Sequence, residues 1–277
     1  MIKKSVRHGL GFSKIFLMSL IGLFMIFPIL IALLNAFKTD GEIFRNIIAL
    51  PESWSFENFT KAYERTDYLQ SLWNTIKLVV MSISGLVFVS ALAGYKLSRT
   101  KTKLSKIIFS IFLISMMIPF HSIMISLLKV SRDLGVQGSL WGLALIYIGL
   151  GSPMAVFLYH GFTKSIPLEI EEAALIDGCN QFQMFVKIVL PLLAPITSTI
   201  VILNTLWIWN DYLLPLLMLT DMRTHTILLT VGSFFGTYTN EWGKILATLI
   251  LAMLPIIVLY LILQKYIIKG ISEGAIK

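Results

Sequence analysis

The sequence predicts an all-α integral membrane protein with six transmembrane helices and both termini in the cytoplasm. Three observations carry that prediction. Hydrophobic residues make up 56% of the 277 positions and charged residues only 14%, against about 25% charged in an ordinary soluble domain. Six apolar runs each approach or exceed the ~20 residues that a helix needs to cross a bilayer. Basic residues concentrate in alternate connecting segments, the asymmetry that sets membrane orientation. A formal charge of +8 also suits nucleic acid, but such binding calls for basic residues clustered on a soluble face. Here they lie between apolar runs. The single cysteine, Cys179, excludes an intrachain disulfide and a Cys-rich metal site.

The first apolar run, 15–34, follows Lys3, Lys4, Arg7 and Lys14. It exceeds the roughly 7–15 residues of a signal-peptide core, and no small-x-small cleavage site follows. It reads as an uncleaved span, kinked at Pro28. Residues 35–71 hold Asp40, Glu42, Arg45, Glu52, Glu57, Lys61, Glu64, Arg65 and Asp67. That composition predicts a polar loop with short amphipathic stretches, such as 59–63. Further spans are expected at 72–95, 107–128, 139–162, 192–220 and 246–268. Lys96, Arg99, Lys101, Lys103 and Lys106 crowd the segment 96–106, and Lys265, Lys269 and Lys277 mark the tail. The positive-inside rule then puts loops 96–106 and 163–191 in the cytoplasm, and loops 35–71, 129–138 and 221–244 outside. Without an internal repeat, 1–277 reads as a single transmembrane domain.

The cytoplasmic loop 163–191 stands apart. It reads KSIPLEIEEAALIDGCNQFQMFVKIVLP from Lys164 to Pro191, long enough for two short helices joined by a turn. Pro167 suits a first helical turn, where its missing N–H costs nothing. Glu169, Glu171 and Glu172 then lie toward the N-terminal end, where negative charge is favoured. Gly178 marks the stop, and a second helix is expected over about 181–189. Ala173 and Ala174 let a partner surface approach closely, with Leu168, Leu175 and Ile176 beside them. Such a helix suits a groove on another protein. An amphipathic helix lying on its own subunit fits the pattern equally well. An anionic helix is a poor match for anionic lipid headgroups.

Glu172-Ala173-Ala174, then Gly178 after three intervening residues, then Ile188, Leu190 and Pro191 after nine more, resemble the EAA signature of ABC importer permeases. Asp177 before the glycine fits it too. Further stretches are similar to the carbohydrate branch, which includes the second permease of the maltose transporter: Pro119 in MMIPFHSIM, LGVQGSLWGLAL at 134–145, FLYHGFTKSIP at 157–167, WIWNDYLLPLL at 207–217 and GISEGAIK at 270–277. The likeness covers most of the chain from the first span onward. His121 stands where that branch has Gln, and Ser126 where Pro is common; these departures bear on the substrate.

The resemblance implies a permease subunit of an ATP-driven sugar importer in a bacterial cytoplasmic membrane. The EAA helix would dock into a cleft on a separate cytoplasmic ATPase, and ATP-driven closure would pass through it to the spans. Docking would fall to Glu172, Ala173, Ala174, Asp177 and Gly178. Glu172 would pair with a basic ATPase residue, the alanines would permit contact, and Gly178 would allow the turn. The implied partners are a second permease subunit, two ATP-binding subunits, an extracellular solute-binding protein and a sugar. ATP and Mg would belong to the ATPase. This chain lacks the Gly-x4-Gly-Lys-Ser/Thr phosphate loop: at Gly243-Lys244, Ile245 follows and Tyr238 holds the first glycine position. His8, His121, His160 and His225 are scattered, and neither a catalytic constellation nor a metal site is expected.

Polar residues inside the fifth span point to a solute path. Asn204, Trp207 and Asp211 fall at i, i+3 and i+7, one face of a continuous helix. Asn210 shares the family likeness but points elsewhere. A carboxylate at bilayer centre costs about 2.5–3.5 kcal/mol on insertion scales, so Asp211 is expected to face a partner or a wet cavity. An aromatic ring beside carboxylate and amide suits a sugar, whose apolar face stacks while its hydroxyls bond. Trp207, Trp209 and Tyr212 also fit interfacial anchoring, and Asp211 a cap or bridge between helices. Outside, Trp54, Phe56 and Phe59, with Phe234, Phe235, Tyr238 and Trp242, suit either a solute-binding protein or packing at the membrane surface.

A permease for a non-sugar solute is the nearest alternative. A self-contained secondary transporter would need ion-coupling carboxylates near mid-membrane, and typically internal repeats, which the sequence does not supply. The EAA loop argues against a scaffold or receptor. No constellation supports a membrane enzyme.

Overall fold

The computed structural model describes residues 2–236 and 239–275, with side chains described from Lys14 to Ile262 apart from 237 and 238, and at Gln264. Tyr238 and Lys277 lie outside the described residues, as do the side chains of Lys3, Lys4, Arg7, His8, Lys265 and Lys269. Long apolar segments have no water to satisfy their peptide groups in a bilayer, so each N–H and C=O must pair within its own segment. Helices follow: among the described residues there is no β-strand, only an isolated antiparallel bridge between Phe235 and Asn240.

Four helices are continuous and apolar enough to span a bilayer: α1 (Ile2–Asn35), α4 (Tyr68–Arg99), α7 (Leu140–Thr163) and α13 (Trp242–Ala275). Two expected spans are broken instead. The run 107–128 is not one helix but two, α5 (Lys103–Ser115) and α6 (Phe120–Asp133), bent by 106°. The physical reason is Pro119. It lacks an N–H, and it pushes the preceding residue out of helical conformation. The run 192–220 is likewise interrupted. Residues 181–192 and α11 (Ala194–Trp209) meet at 72°. The helix then stops before a separate short helix, α12 (Leu213–Met218). The described chain thus holds four spans, or up to six if each bent pair is one span.

The chain divides into two compact units. One comprises residues 2–68 and 231–254. The segment 35–71, expected as a polar loop with short amphipathic stretches, folds into α2 (Asp40–Arg45) and α3 (Glu57–Arg65) and runs into α4 from Tyr68. Thr39 opens α2 with a reciprocal cap: its Oγ1 accepts from the Glu42 N–H, and Glu42 Oε2 accepts from the Thr39 N–H at 2.7 Å. Lys38 is fully buried, and its Nζ donates to the Asn46 carbonyl at 3.0 Å. Asn58 Nδ2 donates to the carbonyls of Ala36 and Lys38. The Phe37 ring lies 5.2, 5.2 and 5.0 Å from those of Trp54, Phe56 and Phe59. Arg65 pairs with Glu241 at 2.6 Å and covers the Phe234 ring at 4.8 Å. These aromatics therefore pack partly on one another, yet Trp54, Phe56 and Phe235 remain exposed.

The other unit comprises residues 69–230 and 255–275. Helix α4 buries a stripe that includes Asn74, Leu78, Ser82, Leu86, Ser90 and Gly94. Small residues on such a stripe let helices approach closely. At Gly94 an added Cβ would lie 2.5 Å from Tyr159 Cβ on α7, so only glycine fits there. One apolar cluster gathers Leu78, Leu143, Tyr147, Ile208, Trp209, Leu214 and Met218. A second gathers Leu86, Ala155, Tyr159, Ile166, Ala174, Phe185, Val189 and Ile200. The second cluster seats the loop 163–191 against α4, α7 and α11.

Candidate functional site

Loop 163–191 folds as its turn chemistry predicts. Pro167 (ψ 136°) precedes α8 (Leu168–Ile176), with Glu169 and Glu171 in the first turn. The helix ends in a Schellman motif. The Cys179 N–H donates to the Ala174 carbonyl and the Gly178 N–H to that of Leu175, both at 3.1 Å. Gly178 has φ +88°, a left-handed conformation that costs other residues about 1–2 kcal/mol. Asn180 then caps the next helix reciprocally with Gln183. That helix comprises α9 (Gln181–Met184), a π-helical turn over Phe185–Val189, and α10 (Leu190–Leu192). Such π-turns concentrate at functional sites.

The residues that the resemblance assigns to docking divide between two faces. Glu172, Ala173, Asp177 and Gly178 are exposed, as are Leu168, Leu175 and Ile176. Ala174 is buried in the second cluster, so only one of the two alanines is on the outer face. The acidic residue facing inward is Glu171. Arg99 Nε and Nη2 donate to its Oε1 at 2.8 and 2.6 Å, and Tyr95 OH donates to its Oε2 at 2.8 Å. Arg99 Nη2 also donates to the Ile166 carbonyl at 2.9 Å. The Tyr95 ring meets that of Phe185 at 5.1 Å. Sequence reasoning missed this network and counted Arg99 only toward orientation. The available signal was Tyr95 and Arg99 four residues apart, on one face of the helix end.

The second feature is a cavity of about 710 Å³. The bend between α5 and α6 opens one side of it, with Ser115, Met116, Phe120 and His121. Gly149, Pro153 and Met154 on α7 line another, and Trp207, Asp211 and Leu214 a third. Trp207 and Asp211 thus share the cavity, but not as one helix face. The helix ends at Trp209, and Asp211 lies in the turn beyond it. There it both caps and bridges: Oδ1 accepts from the N–H groups of Leu213 and Leu214 at 3.0 and 3.3 Å, and Oδ2 accepts from Tyr147 OH at 2.8 Å. Tyr147 meets the Trp207 ring edge-on at 5.3 Å. Asn204 is buried, and its Nδ2 donates to the Ile200 carbonyl. Asn210 donates to the Leu206 carbonyl. Neither asparagine lines the cavity. His121 does, though the sequence marks it just as one of four scattered histidines and a departure from the family pattern.

Beyond the spans, the segment 221–230 is held to α4. Asn74 Nδ2 donates to the carbonyls of Arg223 and His225, and Thr75 Oγ1 accepts from the Ile227 N–H at 2.9 Å. Hydrogen bonds from the Arg223 side chain and backbone lower the Asp221 carboxyl to about 2.

Four apolar helices of spanning length among the described residues, two bent helix pairs and a structured polar loop define a multi-pass membrane protein. The chain belongs to the family of binding-protein-dependent transport system inner membrane components, which matches residues 85–273. It is similar to the probable starch degradation products transport system permease protein AmyC of Thermoanaerobacterium thermosulfurigenes, with 40% identity over 98% of each chain. It is 38% identical to the melibiose/raffinose/stachyose import permease protein MelC of Bacillus subtilis (strain 168), over 90% of this chain and 91% of that one. A crystal structure of a bacterial ABC transporter involved in the import of the acidic polysaccharide alginate shares the fold. Its TM-score is 0.78 at 20% identity, over 92% of this chain and 95% of that one. The family places the chain among transport components rather than enzymes.

Proposed function

We propose that this chain is the permease subunit of an ATP-driven sugar importer, and that it forms half of the translocation pathway. It would cross a bacterial cytoplasmic membrane six times with both termini in the cytoplasm. Four continuous spans and two bent pairs support that count, and the basic segment 96–106 supports the orientation. The partners are a second permease, two ATP-binding subunits that bring ATP and Mg, and an extracellular solute-binding protein.

The observation that carries the reading is the shape of loop 163–191. Its α8 presents Glu172, Ala173 and an exposed Ile176 outward, while its other face is packed into the spans. A helix exposed on one side and seated on the other is suited to passing displacement from a docked ATPase. The sugar assignment rests on relatives whose names specify starch products, melibiose, raffinose and stachyose. It also rests on the cavity, where the Trp207 ring can stack on a sugar face. Asp211 Oδ1 is taken up by two backbone N–H groups, but Oδ2 accepts only from Tyr147 and keeps a second lone pair for a sugar hydroxyl.

The test is affinity capture of the chain from detergent-solubilised membranes. Co-purification of one copy of a second permease and two of an ATPase is the expected result. Recovery of this chain alone, with sugar uptake insensitive to ATP depletion, would overturn the reading.

A further inference from the structure

We infer that Arg99 and Glu171, with Tyr95, form an internal strut that makes α8 and the end of α4 move as one body. The pair thus transmits displacement of the docking helix into the α4 span. This rests on the proposed importer function and goes beyond the docking residues, of which all but the buried Ala174 face outward or shape the turn.

The case begins with burial. Glu171 and Arg99 keep only 5% and 19% of their side-chain exposure. Withdrawing a carboxylate and a guanidinium from water is expensive unless geometry is good and the remaining lone pairs are satisfied. The geometry is good, and each carboxylate oxygen has a donor. The guanidinium forks onto one carboxylate oxygen through Nε and Nη2, and the Tyr95 hydroxyl donates to the other. An apolar contact could have filled the same space without that desolvation cost. What the charged pair adds is direction. A forked guanidinium resists both sliding and rotation of α8, which an apolar contact between exposed Leu168 or Leu175 and a neighbour does not.

The connections also converge. Arg99 grips the chain just before α8, through the Ile166 carbonyl, and the first turn of α8, through Glu171. Tyr95, one turn earlier on α4, touches the second loop helix through Met184 Sδ at 3.7 Å and the Phe185 ring. Two residues four apart on α4 therefore hold both helices of the loop. Phe185 begins the π-helical turn, so the grip falls where the second helix is locally irregular.

The experiment uses the whole transporter in proteoliposomes and reads solute moved per ATP hydrolysed. Glu171→Gln removes the charge with little change in shape, and Arg99→Lys keeps the charge but removes the fork. Each is expected to lower that ratio about fivefold or more, the scale of ordinary coupling between sites, with subunits assembled in wild-type proportions. If Glu171→Gln does not assemble, Arg99→Lys decides by the same reading. An unchanged ratio in assembled complexes overturns the inference, as does an uptake loss fully accounted for by loss of assembled complex. Wild-type uptake independent of ATP would instead overturn the importer reading itself, and the strut with it.

Discussion

Replacing Gly178 with valine separates the shape of loop 163–191 from its chemistry. Gly178 sits at φ +88°, and a Cβ built there meets nothing within 4 Å. Steric room is therefore not the obstacle; the backbone conformation is. An L-residue in the left-handed region pays about 1–2 kcal/mol, and a β-branched side chain belongs at the upper end of that range. At 1.4 kcal/mol per tenfold, the population of the native turn falls about 5–30-fold relative to its alternatives. Those alternatives lose the bonds from Cys179 to Ala174 and from Gly178 to Leu175, and the second loop helix leaves its seat. Gly178→Val is therefore expected to insert normally yet lose most uptake. Gly178→Asn is expected to retain most of it, because asparagine tolerates this conformation. The assay is ATP-driven sugar uptake in membrane vesicles, normalised to permease content. Wild-type uptake in the valine variant would refute the reasoning, and so would an asparagine variant as defective as the valine one.

Trp207→Ala removes the ring that lines the cavity and its edge contact with Tyr147. It is expected to alter uptake kinetics while ATPase assembly is retained; unchanged kinetics would remove Trp207 from the pathway. Arg99→Ala leaves Glu171 buried without its partner, a change that costs about 3–5 kcal/mol. Thermal denaturation in detergent should show the loss, and an unshifted melting temperature would contradict the buried pair. Asp221 titrates at about 2 because Arg223 bonds its carboxylate. Its folded value is depressed, so its contribution is present above the usual carboxylate range near 4 and is lost as pH falls toward 2. Hydrogen exchange of the 221–225 amides should accelerate over that window in the wild type relative to its own value at pH 5, after correction for intrinsic rates, and not in Asp221→Asn.

The loop was the most legible part of the chain because its signals are local. Pro167 and Gly178 each act on their own backbone, and the helix expected over 181–189 appears, its second half a π-helical turn over Phe185–Val189, and runs on through Pro191 to Leu192. The apolar runs were legible as runs but not as straight helices. Pro119 stood in plain view, yet a proline inside a span can kink or break it, and only packing chooses between the two. At α5–α6 the result is a 106° bend that opens the cavity. Asp211 was foreseen as a residue facing a partner or cavity, but the face-sharing argument assumed that the helix continues past Trp209. It stops there, and Asp211 reaches the cavity from the turn.

By composition and period alone, the sequence determined that the chain lies in a membrane, roughly where its spans run, and where its structured loop begins and turns. Those features follow from hydropathy and from backbone preferences that act within a few residues. Which glutamate faces outward and which is gripped by Arg99 was not determined there, because Glu171 and Glu172 are adjacent and chemically alike. Their division depends on which one α8 presents to α4, 72 positions away from Arg99 in sequence. The same holds for the meeting of His121, Trp207 and Asp211 around one cavity. Helical phase and long-range packing decide such contacts, and only the tertiary structure supplies both.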